Sequence, residues 1–104
     1  MATAPTGLLA YYASGKPLSC KLDVDPYLCE IWQLENLTKY NADYEVQIYA
    51  PEFFGFGSNG GGEMLAVSPT GEVVCLPFIG MEPAVATPIA SSWDAFEGML
   101  RNAL

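Results

Sequence analysis

Phe53-Phe54-Gly55-Phe56-Gly57-Ser58-Asn59-Gly60-Gly61-Gly62-Glu63-Met64-Leu65-Ala66-Val67-Ser68-Pro69-Thr70-Gly71-Glu72-Val73-Val74-Cys75-Leu76-Pro77-Phe78 decides the fold. Phe53 to Gly57 reads as a short aromatic strand, and Asn59-Gly60 behind it is a strong hairpin signal, because a type I′ turn needs positive φ at both central residues. Glu63 to Ser68 follows as a second strand. Ser68-Pro69-Thr70-Gly71 then places Ser, Pro and Gly where a tight turn favours them, and Glu72 to Phe78 is a third strand. Together they predict a three-stranded antiparallel meander.

On the N-terminal side, Leu18, Cys20, Leu22 and Val24 share one parity while Ser19, Lys21 and Asp23 take the other. That alternation predicts a half-buried strand. Asp25-Pro26 supplies a turn, and Tyr27 to Leu34 reads as a further strand, so a hairpin is compatible with the pattern. From Glu35 the period lengthens: Leu34, Leu37, Tyr40, Tyr44 and Ile48 draw one helical face. Tyr44, Val46 and Ile48 also alternate as a strand would, so the helix end stays open between Asn41 and Tyr49, with Pro51 ending it either way. A short helix is expected over Gly7 to Ser14, with Thr6 as N-cap and Gly15 as its left-handed stop.

On the C-terminal side, Gly80 to Ala90 holds Pro83 and Pro88 and reads as a surface connection. A last helix begins at Ser91, with Asp94 completing an acidic capping box. Trp93, Phe96, Leu100 and Ala103 line its apolar face, Arg101 favours the negative end of its dipole, and Gly98 suggests close packing. The fold class is therefore α+β: an antiparallel sheet, with the meander at its centre and one or two N-terminal strands, and helices packed on one face. The 104 residues make a single domain, without repeat or linker.

Composition narrows the function. Apolar residues are 51% and charged ones 15%, which excludes a disordered acidic tail. No apolar run approaches the ~20 residues of a membrane helix, and no signal-like segment opens the chain, so a soluble cytoplasmic protein is expected. The net charge is −8. Residues 1–39 hold three bases and four acids, residues 40–100 hold eight acids and no base, and Arg101 is the fourth base. Nucleic acid is disfavoured as a partner, because phosphate binding draws on Lys and Arg, and basic partners are favoured.

Histidine is absent. This removes Ser-His-Asp and Cys-His nucleophile systems and His-containing zinc sites. The three cysteines, Cys20, Cys29 and Cys75, form no CxxC pair and read as buried free thiols. Gly55-Phe56-Gly57-Ser58-Asn59-Gly60 fits G-x-G-x-x-G, and nucleotide binding through this loop is a remote alternative. The dinucleotide mechanism needs a helix opening on the last glycine, whereas two more glycines and a strand follow here. Asp23 and Asp25 could begin a cation site, but the six or more oxygens a hard cation wants are not in view. Capping and dipole effects account for Asp94 and Glu97. The expectation is no enzyme, no cofactor and no metal.

Tyr49-Ala50-Pro51-Glu52-Phe53-Phe54-Gly55-Phe56-Gly57-Ser58-Asn59-Gly60-Gly61-Gly62-Glu63 resembles the signature of the SUKH superfamily, which includes a yeast regulator of cell-wall synthesis and many bacterial immunity proteins. Val74-Cys75-Leu76-Pro77-Phe78-Ile79-Gly80-Met81 resembles that family's next element, and Ala90 to Leu100 resembles its closing helix. Glu30-Ile31-Trp32-Gln33-Leu34 with Asn41 and Tyr44 is similar to its upstream segment. The likeness covers about residues 27–100. The family's initial helix, with its Leu-Pro-aromatic motif, has no counterpart before Tyr27, so the chain reads as a shortened member or a fragment. Apolar surface left by that gap suggests a homodimer.

The resemblance implies binding without catalysis: an immunity protein that neutralises a cognate toxin, of basic nuclease type, by direct contact. Its alternative is a regulatory or scaffold protein like the yeast relative. Charge complementarity nominates Glu52, Glu63, Glu72 and Glu82 as partner contacts. Gly57, Asn59, Gly60, Gly61 and Gly62 are expected to be structural: Asn59 and Gly60 make the turn, and Gly61-Gly62 allow a bulge or close approach. Trp32, Trp93 and Phe96 are expected as core anchors.

Overall fold

The computed structural model describes residues 2–102. Its elements are α1 (Thr6–Ala13), β1 (Ser19–Lys21), β2 (Leu28–Ile31), α2 (Leu37–Asp43), α3 (Val46–Tyr49), β3 (Phe54–Ser58), β4 (Glu63–Val67), β5 (Val73–Pro77), β6 (Thr87–Ala90), α4 (Trp93–Met99) and β7 (Arg101–Asn102). The seven strands form one curled sheet in the order β6-β5-β4-β3-β2-β1-β7, and every pairing is antiparallel. The α+β class and the central meander are as the sequence predicts. The β1–β2 hairpin also forms, turning through a cis Asp25–Pro26 bond.

Strand alternation distributes the core. Leu65, Val67, Val73 and Cys75 share one face of the sheet with Cys20, Cys29, Ile31 and Phe56, and α1 and α4 lie on it through Leu8, Tyr11, Trp93 and Phe96. Phe56, Trp93 and Phe96 meet edge-on or tilted, with ring centroids 5.2–5.6 Å apart, an arrangement that adds to burial through the ring quadrupoles. Trp93 and Phe96 are thus the core anchors expected of them. Met64, Ala66, Val74 and Leu76 have the opposite parity and form a second cluster with Phe53, Met81, and Val46 and Ala50 of the α3 segment.

Glycine is required where backbones approach. A Cβ on Gly57 would run into the carbonyl oxygen of Glu30 in the adjacent strand, so β2 and β3 pair closely only because position 57 lacks a side chain. The register shifts between Gly55 and Gly57, which places the bulge here and not at Gly61-Gly62. Gly62 has open space around its missing Cβ. The Asn59-Gly60 turn also departs from expectation: Gly60 has φ +80°, but Asn59 does not have positive φ. Asn59 bends the loop with its side chain instead. Its Oδ1 accepts from Gly61 N–H at 2.9 Å and from Glu63 N–H at 3.3 Å, a local side-chain bond that substitutes for type I′ geometry.

Other expectations shift where tertiary partners intervene. The helix after Leu34 opens as a 3₁₀ turn and breaks at Glu45, whose φ of +55° resets the helical phase. Val46 is therefore buried, while Leu34, Tyr44 and Ile48 of the expected face are 50%, 42% and 67% exposed. Residues 80–90 are more than a connection: after a 3₁₀ turn, β6 pairs with β5, and Pro88 is accommodated because the strand lies at the edge of the sheet.

At α4 the cap is Ser92, whose Oγ accepts from Ala95 N–H at 3.1 Å, and not Ser91. The helix stops at Met99 because the chain turns extended at Leu100 to pair β7 with β1. Arg101 consequently meets Asp23 at 3.1 Å instead of a helix terminus. Gly98 is uncrowded, and Ala103 lies outside the described residues. At the other end of the chain Pro5, not Thr6, precedes α1, and Gly15 takes the expected left-handed φ of +67°.

Candidate interaction surface

The four nominated acids are placed apart. Glu63 opens β4 and Glu72 precedes β5, at opposite ends of one hairpin and on the order of 15 Å apart at ~3.3 Å per residue. Glu52, with φ +68°, lines a surface hollow with Phe54, Val67, Ser68 and Pro69. Glu82 is exposed ahead of the 3₁₀ turn at residues 83–85. Local bonds hold two of these carboxylates: Asn59 Nδ2 donates to Glu63 at 3.1 Å, and Thr70 Oγ1 donates to Glu72 at 3.0 Å. They form an acidic surface and not one compact site.

The bases are largely consumed inside the chain. Lys16 pairs with Glu97 at 2.5 Å, Lys39 with Asp43 at 2.5 Å, and Arg101 with Asp23 at 3.1 Å. Contact with the Lys16 ammonium, joined by the Trp93 indole N–H, holds the Glu97 carboxyl below the usual range. Of the acids of residues 40–100, Asp43 and Glu97 meet these bases, Glu45, Glu72, Glu82 and Asp94 are exposed, and Glu63 is half-buried.

The thiols lie in the interior. Cys20 and Cys29 are direct cross-strand partners, and all three cysteines are buried and free. Burial pushes Cys29 far above the ordinary thiol range. Cys75 is raised to about 12 by burial first and then by the charges of Glu63 and Asp25. Thiols so raised stay protonated at neutral pH and are poor nucleophiles. Among the described residues, no three His, Cys, Asp or Glu side chains are grouped to hold a metal ion. The glycine loop runs from β3 directly into β4, so no helix N-terminus faces it, and the cradle that a G-x-G-x-x-G phosphate site requires is not formed. No helix among the described residues is long and apolar enough to cross a membrane.

One surface feature escaped sequence reasoning. Trp32 is half-buried and not enclosed in the core, and it begins an aromatic ledge. Its ring meets Tyr40 edge-on at 5.1 Å and stacks on Tyr44 at 6.0 Å, and Tyr44 meets Phe78 at 4.5 Å. Ile79, the next residue, is 93% exposed. Tyr12 Oη donates to the Trp32 carbonyl at 2.5 Å and ties the ledge to α1; burial and the Glu35 charge push this phenol up to about 12. Tyr40 and Tyr44, one turn apart, carried the only sequence signal, and helical spacing assigns them to a core face. Compared with family models and with curated proteins, the chain matches none.

Proposed function

We propose that this chain is a non-catalytic protein-binding domain of SUKH type, and that it acts as an immunity protein by binding a cognate basic, nuclease-type toxin and blocking access to its nucleic-acid substrate. The observation that carries this reading is the base-free stretch of residues 40–100, on which Glu45, Glu72, Glu82 and Asp94 are exposed. A nuclease holds nucleic acid with basic residues, and a surface of this sign is complementary to it, accelerating encounter and making association salt-sensitive. Homodimer formation through a separate apolar patch belongs to the same proposal, since Ile48 and Tyr49 are each more than half exposed.

The test is co-expression with the product of the neighbouring gene, followed by purification and a nuclease assay. A stoichiometric complex without nuclease activity, weakened by added salt, is the expected result. A nuclease that stays fully active in excess of this protein overturns the proposal.

A further inference from the structure

We propose that the aromatic ledge of Trp32, Tyr40, Tyr44 and Phe78, with Ile79 at its rim, is the face that receives an arginine-bearing segment of the protein partner. Ring faces carry negative quadrupole density and attract cations, and the planar guanidinium both stacks on rings and pairs with carboxylates. The chain already uses this chemistry internally, because the Lys39 ammonium lies 5.9 Å from the Tyr40 ring centroid while pairing with Asp43. The Trp32, Tyr44 and Phe78 rings have no such cation among the described pairs.

Exposed acids stand beside the ledge in the chain: Glu35 before α2, Glu45 next to Tyr44, and Glu82 beyond Ile79. Glu35 is close enough to raise the Tyr12 phenol that bonds to Trp32. Rings for the guanidinium plane are thus accompanied, within a few residues along the chain, by exposed carboxylates for its N–H groups. A second copy of the chain fits this face less well, since neither ledge would bring a free cation to the rings or to Glu35, Glu45 and Glu82 of the other. Resting on the toxin-binding proposal for the partner's identity, the ledge assigns which face makes contact.

The probe is a nona-arginine peptide titrated into the isotope-labelled full chain and followed by NMR, with nona-lysine as the comparison. The expected result is saturable shifts in the Trp32 indole and in the amides of Tyr44, Phe78 and Ile79. The indole of Trp93, which is 6% exposed, should stay unmoved. Tyr44→Ala, at a ring 42% exposed, should keep the fold and weaken nona-arginine binding roughly two- to fivefold, the span of one exposed cation–π contact. Shifts centred on Glu52 and the Ser68–Glu72 turn, or equal affinity for Tyr44→Ala, overturn the assignment. So do ledge signals that move on dilution without peptide, because a second copy then covers the face. A titration that spares the ledge while the toxin is still neutralised refutes this inference alone. A ledge that binds nona-arginine while the nuclease stays active refutes the immunity proposal alone.

Discussion

Asn41→Ala tests how the α2 segment is fastened to the sheet. β2 leaves β3 after Ile31 and Trp32, so Gly55 has no strand on that side. The Asn41 amide takes its place: Gly55 N–H donates to Asn41 Oδ1 at 2.8 Å, and Asn41 Nδ2 donates to Gly55 C=O at 2.8 Å. One side chain thus extends the ladder by one residue and closes an edge that would otherwise leave two peptide groups unpaired. Nδ2 also donates to Leu37 C=O at 2.8 Å, but that carbonyl lies in the first turn of α2 and loses less.

Truncation to Ala leaves the Gly55 N–H and C=O without partners in a buried strand. At ~1–3 kcal/mol for each of the two unsatisfied groups, the expected loss is about 2–6 kcal/mol. That corresponds to a fall in Tm of roughly 10–30 °C for a domain of this size. Urea unfolding followed by tryptophan fluorescence measures the loss, and m should stay constant because the surface exposed on unfolding is unchanged. Asn41→Asp keeps an acceptor for Gly55 N–H but sets a carboxylate oxygen against Gly55 C=O, so it should also destabilise the fold. A loss below about 0.5 kcal/mol, the size expected of an ordinary surface substitution, would refute the account of Asn41 as a surrogate strand.

Gly57→Ala forces a methyl group onto the Glu30 carbonyl in β2, a backbone atom that cannot swing aside, and should cost about 3 kcal/mol or more by denaturant unfolding. The native thiols should resist Ellman's reagent at pH 8, and all three should react once the chain is unfolded. The Cys75 thiol, near 12 when folded and about 8.5 when unfolded, contributes stability that is complete below the unfolded value and lost as pH rises towards the folded one, so Tm should fall above about pH 9. Glu97, held below its ordinary range by Lys16, acts with the opposite sign. Glu97→Gln should cost less than about 1 kcal/mol at pH 7, and the difference should vanish as acid protonates the carboxylate, measured by Tm from pH 7 downwards. On the proposed immunity function, reversing Glu52 and Glu72 together should change the salt dependence of binding to the toxin more than the affinity at high salt, read by titration calorimetry.

Local signals in the sequence determined the meander, its second turn, and the anchoring of Trp93 and Phe96, and left the β1–β2 hairpin open. In each case the information is short-range: alternation places a side chain on one face of a strand, and Ser68-Pro69-Thr70-Gly71 needs no distant partner to turn. The first hairpin was legible by position but not by geometry, because the Asn59 side chain competes with the backbone for the same N–H groups. The charge imbalance was equally legible, since it is a count along the chain.

Tertiary structure decided the rest, and the reasons lie in contacts between distant segments. β6 and β7 exist because edges of the sheet were available to Thr87–Ala90 and Arg101–Asn102, a pairing energy that local propensity does not contain. Asn41 has no value as a helix residue and becomes structural only beside Gly55, fourteen positions away. Tyr40 and Tyr44 carry the same spacing whether they face a core or a surface. It took the left-handed residue at Glu45, and the positions of Trp32 and Phe78, to turn that stripe outward into a ledge. The sequence thus determined which residues are apolar and acidic, while the fold decided which of them meet, because faces are defined only once strands from both ends of the chain have paired.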